Sequence, residues 1–140
     1  MHRLALLLIL LSGGAHATSC WSTVLSGLED PLSKAIELSD VIFVGVVTDR
    51  IKSSYRANGS EESILEVTSV FEVKEVLKGK ISNEVILVAK DICDCRYDFE
   101  PGVEYVVLAN ASENHLVPKF CEYIATSDSA LTSEVRERLP

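Results

Sequence analysis

The fold of this protein is decided by a stretch of alternating side chains, LEVTSVFEVKEVL (residues 65–77). One set of alternate positions includes Leu65, Val67, Phe71 and Val73, whereas the other set is mostly polar or charged. A period of two is typical of a β-strand that lays one face on a core. Because the stretch is longer than most strands, we expect it to coil and to serve two halves of a closed sheet.

The segments around this strand predict four more strands. Residues 41–47 are β-branched and apolar on both faces, as expected of a strand inside a barrel or beneath a helix, and Gly45 indicates a bulge. Polar residues 52–62 contain an Asn58-Gly59 turn signal and predict an exposed hairpin loop. The remaining strands are expected at residues 85–88, 103–108 and 116–121.

Helices are predicted at both ends of this run of strands. The first begins at Asp30-Pro31, where a carboxylate caps the free backbone N–H groups, and ends near Ser39. The second covers residues 129–139, with an apolar stripe at Leu131 and Val135. The predicted fold is therefore mainly β: a five-stranded antiparallel barrel of the OB type with a short N-terminal helix and a C-terminal helix.

The first 17 residues have the features of an export signal. Arg3 gives a basic start, residues 4–11 are apolar, and Ala15 and Ala17 are small. Because a bilayer span needs about 20 apolar residues, a transmembrane helix is not expected. We expect cleavage after Ala17 and a secreted or periplasmic domain at residues 18–140. Cleavage after Ser19 and a lipid anchor on Cys20 remain alternatives.

The charge balance of the exported part excludes some classes of partner. The whole chain has a net charge of −8, and the loss of Arg3 with the signal leaves −9. Recognition of a nucleic-acid backbone needs clustered Lys and Arg, and so does attraction to an anionic membrane surface. Neither kind of partner is therefore expected.

The four cysteines all lie in the exported part, at Cys20, Cys93, Cys95 and Cys121. An even number in a small exported domain favours two disulfides, for which three pairings exist. Cys93 and Cys95 could instead form a redox dithiol, although their acidic flanks would raise the thiol pKa. A zinc site is disfavoured because the spacing is short and His115 is the single histidine of residues 18–140.

The sequence lacks the motifs that mark the common classes of enzyme. It contains no GxGxxG, phosphate-binding loop or HExxH motif, and His115 is expected in a solvated turn. The acidic residues Asp91, Asp94, Asp98 and Glu100 fit a solvated turn better than a calcium loop. Asn58 and Asn110 each begin a glycosylation acceptor pattern, which matters only in a eukaryotic host. We therefore expect a binding protein without catalytic activity, cofactor or intrinsic metal.

Several stretches, taken in order, resemble the netrin-like domain and the tissue inhibitor of metalloproteinases family. The first half matches through Cys20, AIELSDVIFVG (35–45) and FEVKEVLKG (71–79), and the second half through Cys95, FEPGVEYVV (99–107) and Cys121. The resemblance covers nearly all of residues 18–140. It implies an OB-type barrel tied at its N-terminus by disulfides, equivalent to the inhibitory domain of the animal inhibitors.

The resemblance also implies a contact surface. In the animal inhibitors, the α-amino group and carbonyl of an N-terminal cysteine chelate the zinc of the target protease, and the next side chain enters its specificity pocket. The matching residues are Cys20, Trp21 and Ser22, with one cysteine where the family has a Cys-x-Cys pair. Cys20 could act in this way only if it were the first residue after cleavage.

The disulfide pattern implied by the family is disturbed by the missing cysteine. Cys20 is expected to bond with Cys95 or Cys121, and Cys93 with the other, since a ring closed between Cys93 and Cys95 is strained. The sequence thus favours an exported protein-binding module that resembles a metalloproteinase inhibitor. The alternatives are a dithiol redox protein that uses Cys93 and Cys95, and a structural envelope module, with a lipid anchor on Cys20 as one form.

Overall fold

The computed structural model describes residues 22–56, 58–90, 98–120 and 123–140. The chain begins there with one helical turn, α1 (Ser22–Leu25), and helix α2 (Pro31–Leu38). Strands β1 (Val41–Arg56), β2 (Ser63–Lys78), β3 (Glu84–Lys90), β4 (Glu104–Ser112) and β5 (His115–Pro118) follow. A short strand β6 (Ala125–Thr126) leads into helix α3 (Ala130–Arg138). The domain is mainly β, as predicted.

Five of the strands close into a ring. The sheet has the order β1-β2-β3-β5-β4, β1 also pairs with β4, and β6 adds to the outer edge of β4. The prediction of an all-antiparallel sheet is wrong at one place, because β3 and β5 meet in parallel at the Leu87 and Leu116 pair. The other pairings in the described residues are antiparallel.

The predicted irregularity at Gly45 lies in the partner strand: Val44 and Gly45 pair with Glu75 and Val73, so the extra residue is Lys74 of β2. The predicted hairpin loop over residues 52–62 is wrong in extent. Strand β1 continues to Arg56 and β2 starts at Ser63, so the turn is confined to the residues between them. The polar side chains of this segment sit on a two-stranded ribbon with water on both faces, where no apolar face marks the strand.

The inside of the ring is filled by an inner cluster of buried side chains. Its largest members, Phe43, Phe71, Phe99 and Tyr105, form a chain of edge-to-face contacts. The ring centroids are 5.4 Å apart for Phe43 and Phe71 and 5.0 Å apart for the next two pairs. Such geometry adds about 0.5–1.5 kcal/mol per pair to the burial of apolar area.

An outer cluster lies between the ring and the helices. From the strands it takes Ile42, Val44, Val106 and Leu108, which point away from the inner cluster. From the rest of the chain it takes Leu25, Leu32, Ala35, Ile36, Phe120 and Val135. Residues 41–47 of β1 and 105–109 of β4 are therefore covered on both faces, which explains why residues 41–47 are apolar without alternation.

Candidate functional site

Most of the contact residues predicted from the sequence precede the first residue that the structure describes. Cys20 and Trp21 fall outside the described residues, and so do Cys93, Cys95 and Cys121. Ser22 is the first residue of α1, and its backbone alone is described. The pairing of the cysteines therefore stays a prediction.

The N-terminal segment is anchored to the domain immediately after these residues. Leu25 is buried in the outer cluster, and Gly27, with a φ of 79°, turns the chain from α1 toward α2. Val24 and Leu28 remain exposed on either side of this anchor. The sequence did not predict the anchor Leu25 or the exposed Val24 and Leu28, because nothing in the local pattern distinguishes them.

Helix α2 is fixed at its start by Asp30, as predicted. The carboxylate of Asp30 accepts hydrogen bonds from the Ser33 backbone N–H at 3.2 Å and from the Ser33 hydroxyl at 2.5 Å. These bonds, with help from nearby Arg138, lower the pKa of Asp30. Arg138 belongs to α3, and its Nε lies 3.4 Å from Asp30 Oδ1. The start of α2 is therefore tied to the C-terminal helix.

Two lysines hold the other end of α2. Lys78 Nζ donates to the carbonyls of Ile36 and Glu37, at 2.8 and 3.0 Å. Lys119 Nζ donates to the carbonyl of Leu38 at 2.9 Å. Cations at this position complement the helix dipole and satisfy carbonyls that have no partner within the helix. Burial lowers the pKa of Lys119, and the Asp40 carboxylate offsets part of that effect.

A second region adjoins the cysteine-bearing residues 91–97. Where the described chain resumes, Asp98 Oδ1 lies 3.1 Å from Lys52 Nζ, and the Phe99 carbonyl accepts from Arg50 Nη1 at 3.0 Å. The Gly102 N–H then donates to the Val47 carbonyl at 2.7 Å. Residues 98–103 are thus held against β1, at the base of the ribbon that β1 and β2 form beyond the ring.

The acidic run proposed as a solvated turn is partly described. Asp91 and Asp94 lie outside the described residues, whereas Asp98 pairs with Lys52 and Glu100 is exposed. In the described ranges no group of three His, Cys, Asp or Glu side chains is arranged to hold a metal ion. None of the helices in those ranges has the length and apolar composition needed to cross a bilayer.

His115 is the first residue of β5, where it pairs with Ser112, so its expected position in the preceding turn is wrong by one residue. The side chain is half-buried and lines an open groove of about 390 Å³ together with Glu84 and Glu113. An imidazole beside carboxylates can bind a cation or exchange a proton. Ser82 and Ser112 line the same groove.

The two glycosylation acceptor patterns differ in their surroundings. Asn58 is exposed in the turn between β1 and β2. Asn110 lies in β4, where its side-chain oxygen accepts from the Asp40 N–H at 3.2 Å, and Asp40 Oδ2 accepts from the Ala111 N–H at 3.0 Å. Asn110 therefore has a structural role in joining the start of β1 to β4.

Comparisons with known proteins assign no family to this chain. A scan against protein-family models finds no match, and a search of curated proteins finds none either.

Proposed function

We propose that this protein is an exported protein-binding module of the netrin-like type that acts in the manner of a metalloproteinase inhibitor. Its contact surface is the N-terminal segment around Cys20, Trp21 and Ser22 together with the adjoining loops. The protein works by binding and not by catalysis. The observation that carries the proposal is the order of the strands in the ring.

The order β1-β2-β3-β5-β4, with β4 returning to β1, supports a Greek-key barrel of the OB type. A single parallel contact between β3 and β5 completes that ring. The same fold is what the resemblance to the inhibitor family implies. Because OB-type barrels serve many functions, the proposal also needs a surface suited to a protein partner.

The surface beside Ser22 has the composition of such a contact. Val24 and Leu28 are exposed, and they flank the buried anchor Leu25. Trp21 lies three positions before Val24 in the sequence. Tryptophan is one of the residues most often found among the few that supply most of the binding free energy at protein interfaces.

The supports beneath this surface favour a preorganised site. Leu25 anchors the segment, and the bonds of Asp30 and Lys78 fix the two ends of α2. Arg50 and Lys52 hold the chain that follows Cys95 against β1. A surface that is ordered before binding loses less conformational entropy on association.

The chemistry proposed for Cys20 depends on the cleavage site. If the signal is removed before Cys20, its free amine and carbonyl can take the open position of a catalytic zinc and displace the nucleophilic water. If the chain begins at Thr18, the nitrogen of Cys20 is an ordinary amide and cannot bind the metal. Intact-mass measurement of the exported protein distinguishes these two starts.

The decisive experiment compares two purified forms, one that begins at Cys20 and one that begins at Thr18, against a small panel of zinc metalloproteases. We expect the Cys20 form to inhibit at or below micromolar concentration and the Thr18 form to inhibit far more weakly. The two forms share the whole domain, so each is a matched control for the other. A Trp21→Ala variant of the Cys20 form should lose affinity without loss of thermal stability.

Absence of inhibition by both forms at micromolar concentration would contradict the inhibitor proposal. Free thiols at Cys93 and Cys95 in the same sample would favour the dithiol protein instead. Partition of the exported protein into membranes would favour a lipid-anchored envelope module.

A further inference from the structure

The outer face of β1, β2 and β3 carries an apolar surface that belongs to neither core cluster. Register defines which residues share this face: Val70 lies opposite Ile86, Thr68 lies between Ile51 and Val88, and Tyr55 lies opposite Ile64. We call this surface the sheet patch; its apolar members are Ile51, Tyr55, Ile64, Val70, Ile86 and Val88. None of them is among the residues of the inner or outer cluster.

Helices α2 and α3 of the described residues do not cover the sheet patch. The outer cluster joins α2 and α3 to residues of β1 and β4, on the far side of the ring from the β2 and β3 pairing. Ile51 is 58% exposed and Ile86 is 43% exposed. Apolar side chains that are contiguous across three strands and exposed to water mark an interaction surface more often than scattered single residues do.

Carboxylates surround one end of the sheet patch. Glu72 and Glu84 are directly opposite each other on β2 and β3, two positions along each strand from Val70 and Ile86 and therefore on the same face. Like charges at opposed positions destabilise a sheet. Lys74 Nζ lies 2.7 Å from Glu72, whereas within the described residues Glu84 has no ion pair. Asp49, opposite Val70, adds a third carboxylate at this end.

The other end of the sheet patch is close to neutral. Glu66 is paired with Lys90 at 3.8 Å, and the Lys90 ammonium also lies 5.8 Å from the centre of the Tyr55 ring. The negative potential is therefore concentrated beside Ile86. This asymmetry selects a ligand with apolar side chains and positive charge, and it gives that ligand a preferred direction.

We propose that the sheet patch is a second protein-binding surface, separate from the N-terminal segment, and that it binds an extended segment of a partner that presents apolar side chains on one face and carries Lys or Arg at one end. A second copy of this chain is a poorer occupant. The exported part has a net charge of −9, so two copies repel each other, and the sheet patch carries no cluster of cations to receive the carboxylates of a second copy.

The test uses the ¹⁵N-labelled full exported protein and a short synthetic peptide with Val at alternate positions, Thr between them and Lys at one end. Two reference peptides replace Val by Ser or Lys by Glu. We expect the first peptide to shift the amide signals of β2 and β3 along the sheet patch, and its affinity to fall as salt is added. The two reference peptides should bind at least about tenfold more weakly.

Variants connect the binding to the proposed residues. Ile86→Thr keeps a β-branched side chain and should weaken peptide binding about tenfold. Val76→Thr is the matched control, because Val76 is exposed to nearly the same extent, at 42%, but lies outside the sheet patch. Glu84→Lys leaves the apolar residues intact and should weaken binding by repelling the lysines of the peptide.

Three results would overturn the proposal. The first is equal binding by Ile86→Thr and Val76→Thr, with both folded by circular dichroism. The second is a set of shifted amides outside the sheet patch. The third is a concentration-dependent dimer in analytical ultracentrifugation that Ile86→Thr abolishes, which would make a second copy the occupant.

Discussion

Replacement of Phe99 tests how residues 98–103 are attached to the ring. Phe99 is the buried side chain that residues 98–100 place in the inner cluster, and it contacts both Phe71 and Tyr105 edge to face at 5.0 Å. We expect Phe99→Ala to lower the free energy of unfolding by about 3–5 kcal/mol, the usual cost of removing a buried phenyl ring. That is a large part of the 5–15 kcal/mol typical of a domain.

The conservative variant separates shape from burial. Phe99→Leu keeps most of the apolar volume but loses the two edge-to-face contacts, each worth about 0.5–1.5 kcal/mol. We therefore expect a loss of about 1–3 kcal/mol, clearly smaller than that of Phe99→Ala. Urea unfolding followed by circular dichroism measures both values, provided that the slope with denaturant is unchanged.

Hydrogen exchange adds a local measurement to the same pair of variants. The Gly102 N–H donates to the Val47 carbonyl, and its protection depends on the segment that Phe99 holds in place. In Phe99→Ala this amide should lose protection by a larger factor than the amides that join β1 to β4. A loss of stability below about 1 kcal/mol, or equal loss of protection at all these amides, would refute the assigned role of Phe99.

Three further predictions concern the supports of the ring. Gly79→Ala should destabilise the protein more than Gly59→Ala. Both glycines have a φ near +84°, but a Cβ at Gly79 would lie 2.6 Å from the backbone oxygen of Asp40, whereas a Cβ at Gly59 would have no atom within 4 Å. Equal melting temperatures of the two variants would contradict this reason. Arg136→Met should lower the melting temperature slightly near neutral pH, because the hydrogen bonds of Arg136 lower the pKa of the Glu75 carboxyl group. A lowered carboxyl pKa stabilises the fold above the pKa of the unfolded chain, and this stabilisation is lost as the pH falls through the pKa of the folded protein. A loss of stability that persists in acid would contradict this reason. Asp30→Ala should lower the melting temperature more than Asp30→Asn, which keeps a capping oxygen, and the reverse order would exclude a role for the cap.

The alternation of residues 65–77 was sufficient to predict the central strand, and the flanking apolar runs were sufficient for the strands beside it. The extent of the β1 and β2 ribbon could not be predicted in the same way. Arg50 and Lys52 lie on one face of β1 and Ser53 on the other, and both faces meet water or charged partners. A strand without a buried face does not need apolar residues at alternate positions, so its sequence lacks the alternation that would predict it.

The parallel pairing of β3 with β5 also could not be predicted from the sequence pattern. It consists of one residue pair, Leu87 with Leu116, and its direction follows from ring closure by distant segments. At the candidate site, Trp21 and Ser22 were predicted from resemblance. The anchor Leu25 and the exposed Leu28 follow from packing against the outer cluster, which involves strands far along the chain.

The pairing of β1 with β4 has a consequence for the order in which the protein folds. Val41 meets Ala109, and the intervening chain includes all of β2 and β3. The β1-β2-β3 meander can form from neighbouring segments, but the two-sided apolar surface of β1 stays open until β4 arrives. Contacts between such distant segments form slowly, so refolding should take milliseconds to seconds, with ring closure as the late step. During synthesis, β1 must wait for most of the domain to be made before it is covered.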